Sequence, residues 1–290
     1  LVVTARDGVR LHVEVDDGPE PTVVFVHGFT AQLVEWELQR AALRGRHRLV
    51  LWDLRGHGAS GWGRPARATL DQLADDLARV LDATAPGPVV LVGHSLGGMV
   101  VLALARSRPE LFGDRVRGVF LLATSSGEVL EGHPWARIVH AGRRTRMLPL
   151  WLRMVQISAP AVQRVRRPGT HAGTAFVRHY LFGTDDATPE LVREVQAVLE
   201  QTPFSVSTAF YPLFTGLDEA AALPVLARVP VTVVVGSADR LTPLPHSERI
   251  VAGIGPTAEL VVLPGAGHSL NITRPEAVNA ALEALISRAG

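Results

Sequence analysis

The run Val89-Val90-Leu91-Val92 passes directly into Gly93-His94-Ser95-Leu96-Gly97-Gly98, and a helical pattern continues to Arg106. A short apolar run of this kind suits a strand buried on both faces. The spacing G-x-S-x-G between a strand and a helix leaves few ways to fold. The chain must reverse within a few residues, so the serine backbone is strained. Gly93 and Gly97 carry no side chain, which lets strand and helix close around the turn. Ser95 Oγ then projects above the sheet, over a helix N-terminus with free N–H groups and partial positive charge. The five residues alone also fit a glycine-rich turn that merely contains serine. The strand before and the helix after favour a nucleophile elbow.

The same strand–helix rhythm extends over most of the chain. Val2 to Val15 alternates around the turn signal Asp7-Gly8 and reads as an antiparallel hairpin. Apolar runs recur at Thr22–Val26, Leu49–Trp52, Val116–Ala123, Val231–Val235 and Leu260–Leu263. Helical patterns lie between them, at Leu70–Ala83, Leu96–Arg106, His246–Ala252 and Pro275–Ala289. This predicts an α/β fold with a mostly parallel, doubly wound sheet. From about Ser125 to Leu223 the rhythm breaks into helical pattern with several prolines. The expected organisation is a core of residues 1–124 and 224–290 with a helical cap inserted at 125–223. No internal repeat or low-complexity linker interrupts it.

Composition narrows the chemistry. The chain has 290 residues, enough for one large core with an insertion, and a formal net charge of +1, which points to no polyanionic partner. There is no cysteine, so disulfides, thiolate nucleophiles and Cys-ligated metals are excluded. All 29 basic residues are arginine, so a phosphate-binding G-x-x-x-x-G-K-[ST] loop is impossible. No H-E-x-x-H pair is present, and neither a metal nor a cofactor is expected. The first residues carry charge and form no apolar signal region, and no apolar run reaches membrane-span length. The expectation is a soluble, cytoplasmic protein.

A serine hydroxyl needs a base, and the base needs a carboxylate to hold its tautomer. Among 11 histidines, His268 follows the run Leu260–Leu263 in the flexible loop Pro264-Gly265-Ala266-Gly267. Asp239 follows Val231–Val235 at a strand end, where open α/β sheets place their sites. The chain order is Ser95, Asp239, His268. Glu128, after Val116–Ala123, is the alternative acid. Asp53 precedes the nucleophile in a glycine-rich segment and reads as a structural turn, with His57 beside it. Two N–H donors are needed for a tetrahedral oxyanion. Leu96, directly after Ser95, and Phe29, after His27-Gly28, are the candidates. His27 is expected to brace its loop, and His94 to be packed or pocket-adjacent rather than catalytic.

Together these segments resemble the α/β-hydrolase superfamily, and most nearly its monoacylglycerol-lipase and carboxylesterase type. The matching pieces are His27-Gly28-Phe29, Asp53-Leu54-Arg55-Gly56-His57-Gly58-Ala59-Ser60, Gly93-His94-Ser95-Leu96-Gly97-Gly98, Gly236-Ser237-Ala238-Asp239 and Gly265-Ala266-Gly267-His268. The resemblance implies an α/β-hydrolase fold and a serine hydrolase that cleaves a carboxylic ester through an acyl-enzyme. The substrate would be a small ester with an apolar acyl part, with membrane contact not required. Ser95 stands where epoxide hydrolases and haloalkane dehalogenases of this superfamily carry Asp. Phe29-Thr30-Ala31 stands where meta-cleavage-product hydrolases carry Gly-Pro-Gly. Lactone, thioester or carbon–carbon hydrolysis and perhydrolysis use the same triad, and a ligand receptor on this fold would not need it. Residues 128–178 hold nine Arg against two acidic residues. That pattern fits a cap with one apolar face, toward either the core or a substrate. Phe204, Phe210, Tyr211 and Phe214 are candidate pocket or packing aromatics.

Overall fold

A computed structural model describes residues 1–127, 129, 141, 147–165, 169–184 and 187–290. Eight strands form one sheet: β1 (Val2–Thr4), β2 (Arg10–Asp16), β3 (Thr22–Val26), β4 (Leu49–Trp52), β5 (Val89–His94), β6 (Val116–Leu122), β7 (Val231–Gly236) and β8 (Ala258–Leu263). Their order is β1-β2-β4-β3-β5-β6-β7-β8. β2 pairs antiparallel with both β1 and β4, and every other pairing is parallel, so β2 alone runs against the rest.

The central strands are apolar throughout because both sheet faces are covered. Alternate side chains go to opposite faces. Val24 and Val26 of β3 and Leu91 of β5 enter one core with α2 (Leu70–Thr84), α3 (Leu96–Ser107), α8 (Leu223–Leu226) and α9 (Leu244–Ile254). Val23 and Phe25 of β3 and Val90 and Val92 of β5 enter the other, which takes Leu43 of α1 (Glu37–Leu43) and Val278, Leu282, Leu285 and Ile286 of α10 (Pro275–Ala289). Each fully buried Val or Leu side chain contributes about 1.5–3 kcal/mol. The hairpin, the strands and the four helices read from periodicity are all present. β8 begins two residues earlier than its apolar run because Glu259 points outward at the sheet edge.

Between β6 and β7 the described residues are helical: α4 (Met147–Val165), α5 (His171–Phe176), a π-helical turn (Val177–Phe182), α6 (Pro189–Gln201) and α7 (Phe204–Thr215). The helix starts follow capping chemistry. Thr170 Oγ1 accepts from Gly173 N and Thr188 Oγ1 from Leu191 N, each at 3.2 Å, and Pro189 takes the first helical position, where no N–H is needed. Val177, Leu181, Phe182 and Val192 form a small core of their own. Hydrogen bonds to the loops after β8 and β3 help tie this segment down. Leu181 O accepts from Ser269 N at 2.9 Å, and Thr184 Oγ1 donates to Gly265 O at 2.7 Å, both in the loop after β8. Thr202 Oγ1 donates to Thr30 O at 3.2 Å in the loop after β3.

The sheet order turns back between β3 and β5, where β4 lies on one side and β6 on the other. Loops leaving the C-terminal ends of strands diverge at such a point and open a crevice. Val26 and Gly93 are register partners there, so the segments holding Phe29 and Ser95 leave the sheet side by side.

Candidate active site

Ser95 occupies φ 51°, ψ −116°, between β5 and α3. A side-chain-bearing residue at that geometry costs on the order of 1–3 kcal/mol and persists only when its surroundings hold it. They do: Ser95 N donates to Leu122 O at 2.9 Å, and Ser95 O accepts from Thr124 Oγ1 at 2.7 Å. The close approach falls on Gly97, where an added Cβ would lie 2.0 Å from Val26 O. Gly97→Ala is therefore expected to destabilise the fold by at least the upper end of the ~1–3 kcal/mol typical of overpacking. A fall in the urea midpoint checks this; a midpoint equal to wild type would contradict the close approach.

Leu96 opens α3, so its N–H is one of the helix's unpaired donors. The loop after β3 lies against the elbow: a Cβ on Gly28 would sit 3.5 Å from Ser95 Cβ. Phe29 follows it. Its ring meets Phe210, Tyr211 and Phe214 edge-on, with the Phe214 centroid at 5.2 Å. The two predicted donor residues are thus brought together around Ser95.

Asp239 and His268 meet at the ends of β7 and β8. His268 Nδ1 lies 2.9 Å from Asp239 Oδ2, and both side chains are buried. Oδ2 also accepts from Thr242 Oγ1 at 2.9 Å, while Oδ1 accepts from Leu241 N at 2.8 Å and Thr242 N at 2.9 Å. Burial alone would raise the Asp239 pKa, but the His268 ring and the two backbone N–H groups outweigh it and hold the carboxyl below its usual value. A carboxylate only accepts, so Nδ1 carries a proton; in the neutral ring that tautomer leaves the lone pair on Nε2. Ser95 and His268 line the same cavity, about 710 Å³ in volume. Its wall is mainly apolar, with Phe29, Met99, Leu181, Val195 and Phe214 inside and Trp151 at an exposed position.

The remaining polar residues are placed as braces. Asp53 Oδ1 accepts from Leu33 N and Oδ2 from Ala59 N, both at 2.9 Å, which pins the turn. His27 Nε2 accepts from Leu54 N at 2.8 Å, so its Nδ1 donates to Gly28 O at 2.7 Å. Burial, and then the neighbouring His27, push the His57 pKa down to about 3, leaving a neutral ring against Phe210. Phe210 is core and Tyr211 and Phe214 line the cavity, so three of the four candidate aromatics divide between packing and pocket, while the half-buried Phe204 is in neither set. Glu128 lies outside the described residues. Sequence reasoning missed Glu35, which enters the site from the 3-10 turn Leu33–Trp36 and accepts from Gly28 N at 2.9 Å. It also missed Thr242, three residues after Asp239.

A profile of the alpha/beta hydrolase family matches residues 23–281. The chain belongs to this family. Among solved alpha/beta hydrolase relatives, a thermophilic esterase from Thermogutta terrifontis superposes with a TM-score of 0.77 at 27% identity, covering 100% of this chain and 98% of that one. The 3-oxoadipate enol-lactonase 2 of Acinetobacter baylyi is 26% identical over 289 residues, spanning 99% of this chain and 96% of its own. The acetyltransferase component of the Pseudomonas putida acetoin cleaving system is 31% identical over 268 residues. That match takes in 92% of this chain but only 63% of the relative. Among the described residues, no helix of this alpha/beta hydrolase is long and apolar enough to cross a membrane.

Proposed function

We propose that this alpha/beta hydrolase cleaves small neutral carboxylic esters through an acyl-enzyme on Ser95. The observation that carries the reading is the Asp239–His268 hydrogen bond, which leaves His268 Nε2 as a lone-pair base on the cavity that Ser95 also lines. His268 takes the Ser95 proton as Oγ attacks the carbonyl carbon. The oxygen becomes an alkoxide held by the N–H groups of Phe29 and Leu96. The C–O bond to the alcohol then breaks, and the His268 proton goes to the leaving oxygen. Water, deprotonated by His268, repeats the attack and releases the acid. Asp239 holds the ring and balances the imidazolium charge.

The described residues of the 125–223 segment act as a cap that supplies much of the apolar wall. The volume and lining suit an apolar acyl group. The described lining holds Glu35, Glu37 and Glu194 and no arginine, which disfavours a substrate carboxylate. A lactone reading, supported by the named lactonase relative, uses the same groups. The test is a p-nitrophenyl ester series from acetate to decanoate beside a hemisuccinate ester, a thioester and a lactone. Neutral esters are expected to turn over with an initial burst, and the hemisuccinate to fall about tenfold or more in kcat/KM. Faster turnover of the lactone would move the assignment to lactonase. No burst or turnover with any of them would leave the ligand-receptor reading.

A further inference from the structure

Glu35 and His94 lie against this machinery but take no part in the steps above. Both side chains are buried, at 7% and 6% exposure. His94 Nδ1 is 3.3 Å from each carboxylate oxygen of Glu35, and His94 Nε2 is 3.1 Å from the carbonyl oxygen of His268. A backbone carbonyl and an ionised carboxylate only accept hydrogen bonds. Both ring nitrogens of His94 therefore face acceptors, whereas a neutral imidazole has a single N–H to give. Glu35 Oε1 is also committed as acceptor to Gly28 N at 2.9 Å.

We propose that Glu35 and His94 form a buried imidazolium–carboxylate pair that positions the reacting groups by clipping three loops together. The kinetic part of this proposal rests on the Ser95 hydrolase reading; the charge state does not. One end of the pair holds Gly28 N–H, and Phe29 is the next residue. His94 immediately precedes Ser95. Its far nitrogen holds the carbonyl of His268 itself. Asn271 Nδ2, just beyond His268, donates to Glu35 O at 2.9 Å. Oxyanion loop, elbow and base loop thus converge on two side chains, and only the Asp239 loop is held by other contacts.

The charged and titratable groups around His94 come from four places. They are Glu35 on the 3-10 turn, the His268 ring with its centroid 5.0 Å away, Asp239 beyond it, and His27 at the end of β3. Trp36 closes the remaining side edge-on at 6.2 Å. Burial is the largest influence and disfavours the cation. The charge and hydrogen bond of Glu35, the His268 carbonyl and the charge of Asp239 together outweigh it, so His94 titrates above its ordinary value. A raised value means that the pair is complete below the unfolded histidine range, about pH 6.5, and dissolves as pH rises through the folded value. The pair sets an alkaline limit on activity.

Two measurements test this. In the unreactive Ser95→Ala protein, ¹⁵N spectra of the histidine rings, with His94 assigned by its loss in a Ser95→Ala/His94→Asn variant, are expected to show both His94 nitrogens protonated at pH 7. In Glu35→Gln, kcat is expected to fall about tenfold with KM within about twofold, because misplacement of reacting groups acts on the chemical step. Its alkaline limb should also move at least about one pH unit lower, since the charge that holds the proton is gone. A neutral His94 ring at pH 7, or a wild-type alkaline limb in Glu35→Gln, overturns the proposal. If no ester is hydrolysed, the hydrolase reading fails and the ring spectra still decide the charge state; they also decide if Glu35→Gln does not fold.

Discussion

Replacing Ser95 with alanine is expected to lower kcat on the best ester about 10⁴- to 10⁶-fold while leaving the fold intact. The loss is large because no other group supplies the attacking oxygen, and the base then has nothing to activate except water. The fold should persist because alanine keeps Cβ, so the backbone at φ 51° is no more strained than before. The hydrogen bonds that hold the turn, Ser95 N to Leu122 O and Thr124 Oγ1 to Ser95 O, use only main-chain atoms of this residue. A Tm within about 2 °C of wild type, with turnover lost, separates chemistry from folding. Turnover within tenfold of wild type would remove Ser95 from the nucleophile position.

Asp239→Asn is expected to cost about 10³- to 10⁴-fold in kcat, with little change in side-chain volume. The geometry dictates how the amide sits. Leu241 N and Thr242 N both donate to Oδ1, so the amide oxygen takes that place. The amide nitrogen is left facing His268 Nδ1. That nitrogen must then accept, the proton moves to Nε2, and the ring becomes the wrong tautomer for a base. The charge that balances the imidazolium is lost as well. The substitution also has a signature in stability. The Asp239 carboxyl is held below its usual value, so its contribution is present above the unfolded carboxylate range, about pH 4, and is lost as pH falls through the folded value. The Tm difference between wild type and Asp239→Asn should be widest above pH 5 and should close below pH 4. A constant difference across that range would mean that the carboxyl is not held by His268.

The positions of Ser95, Asp239 and His268 were legible because Ser95 directly follows the buried strand β5, Asp239 lies just past the end of buried β7, and His268 sits in the short loop after the edge strand β8, each marked by glycines. Strand ends are local features, and their apolar runs survive without knowledge of the neighbours. Glu35 was not legible. It sits on a short 3-10 turn, carries no motif, and acquires its role only because the sheet order sets β3 beside β5 and so brings His94 against it. His94 was expected to be packed or pocket-adjacent, and it lines the cavity, but its two acceptors lie 59 and 174 residues away in sequence. Helix α1 was missed for a related reason: its seven residues are too few to show a period. In the helical segment between β6 and β7, apolar residues were visible, but their division between packing and pocket was not. Phe210 and Tyr211 are adjacent in sequence, yet one is core and the other faces the cavity.

The most direct measurement is trapping of the covalent intermediate. The protein is mixed with an activated neutral ester, quenched in acid during the burst, and digested with trypsin. Every tryptic cut falls after arginine, so Ser95 is carried on the peptide Val80–Arg106. The expected result is that this peptide gains the mass of the acyl group, with fragmentation placing the group on Ser95 and no gain in Ser95→Ala. Turnover without an adduct there, or an acyl group on another residue, would contradict the acyl-enzyme mechanism.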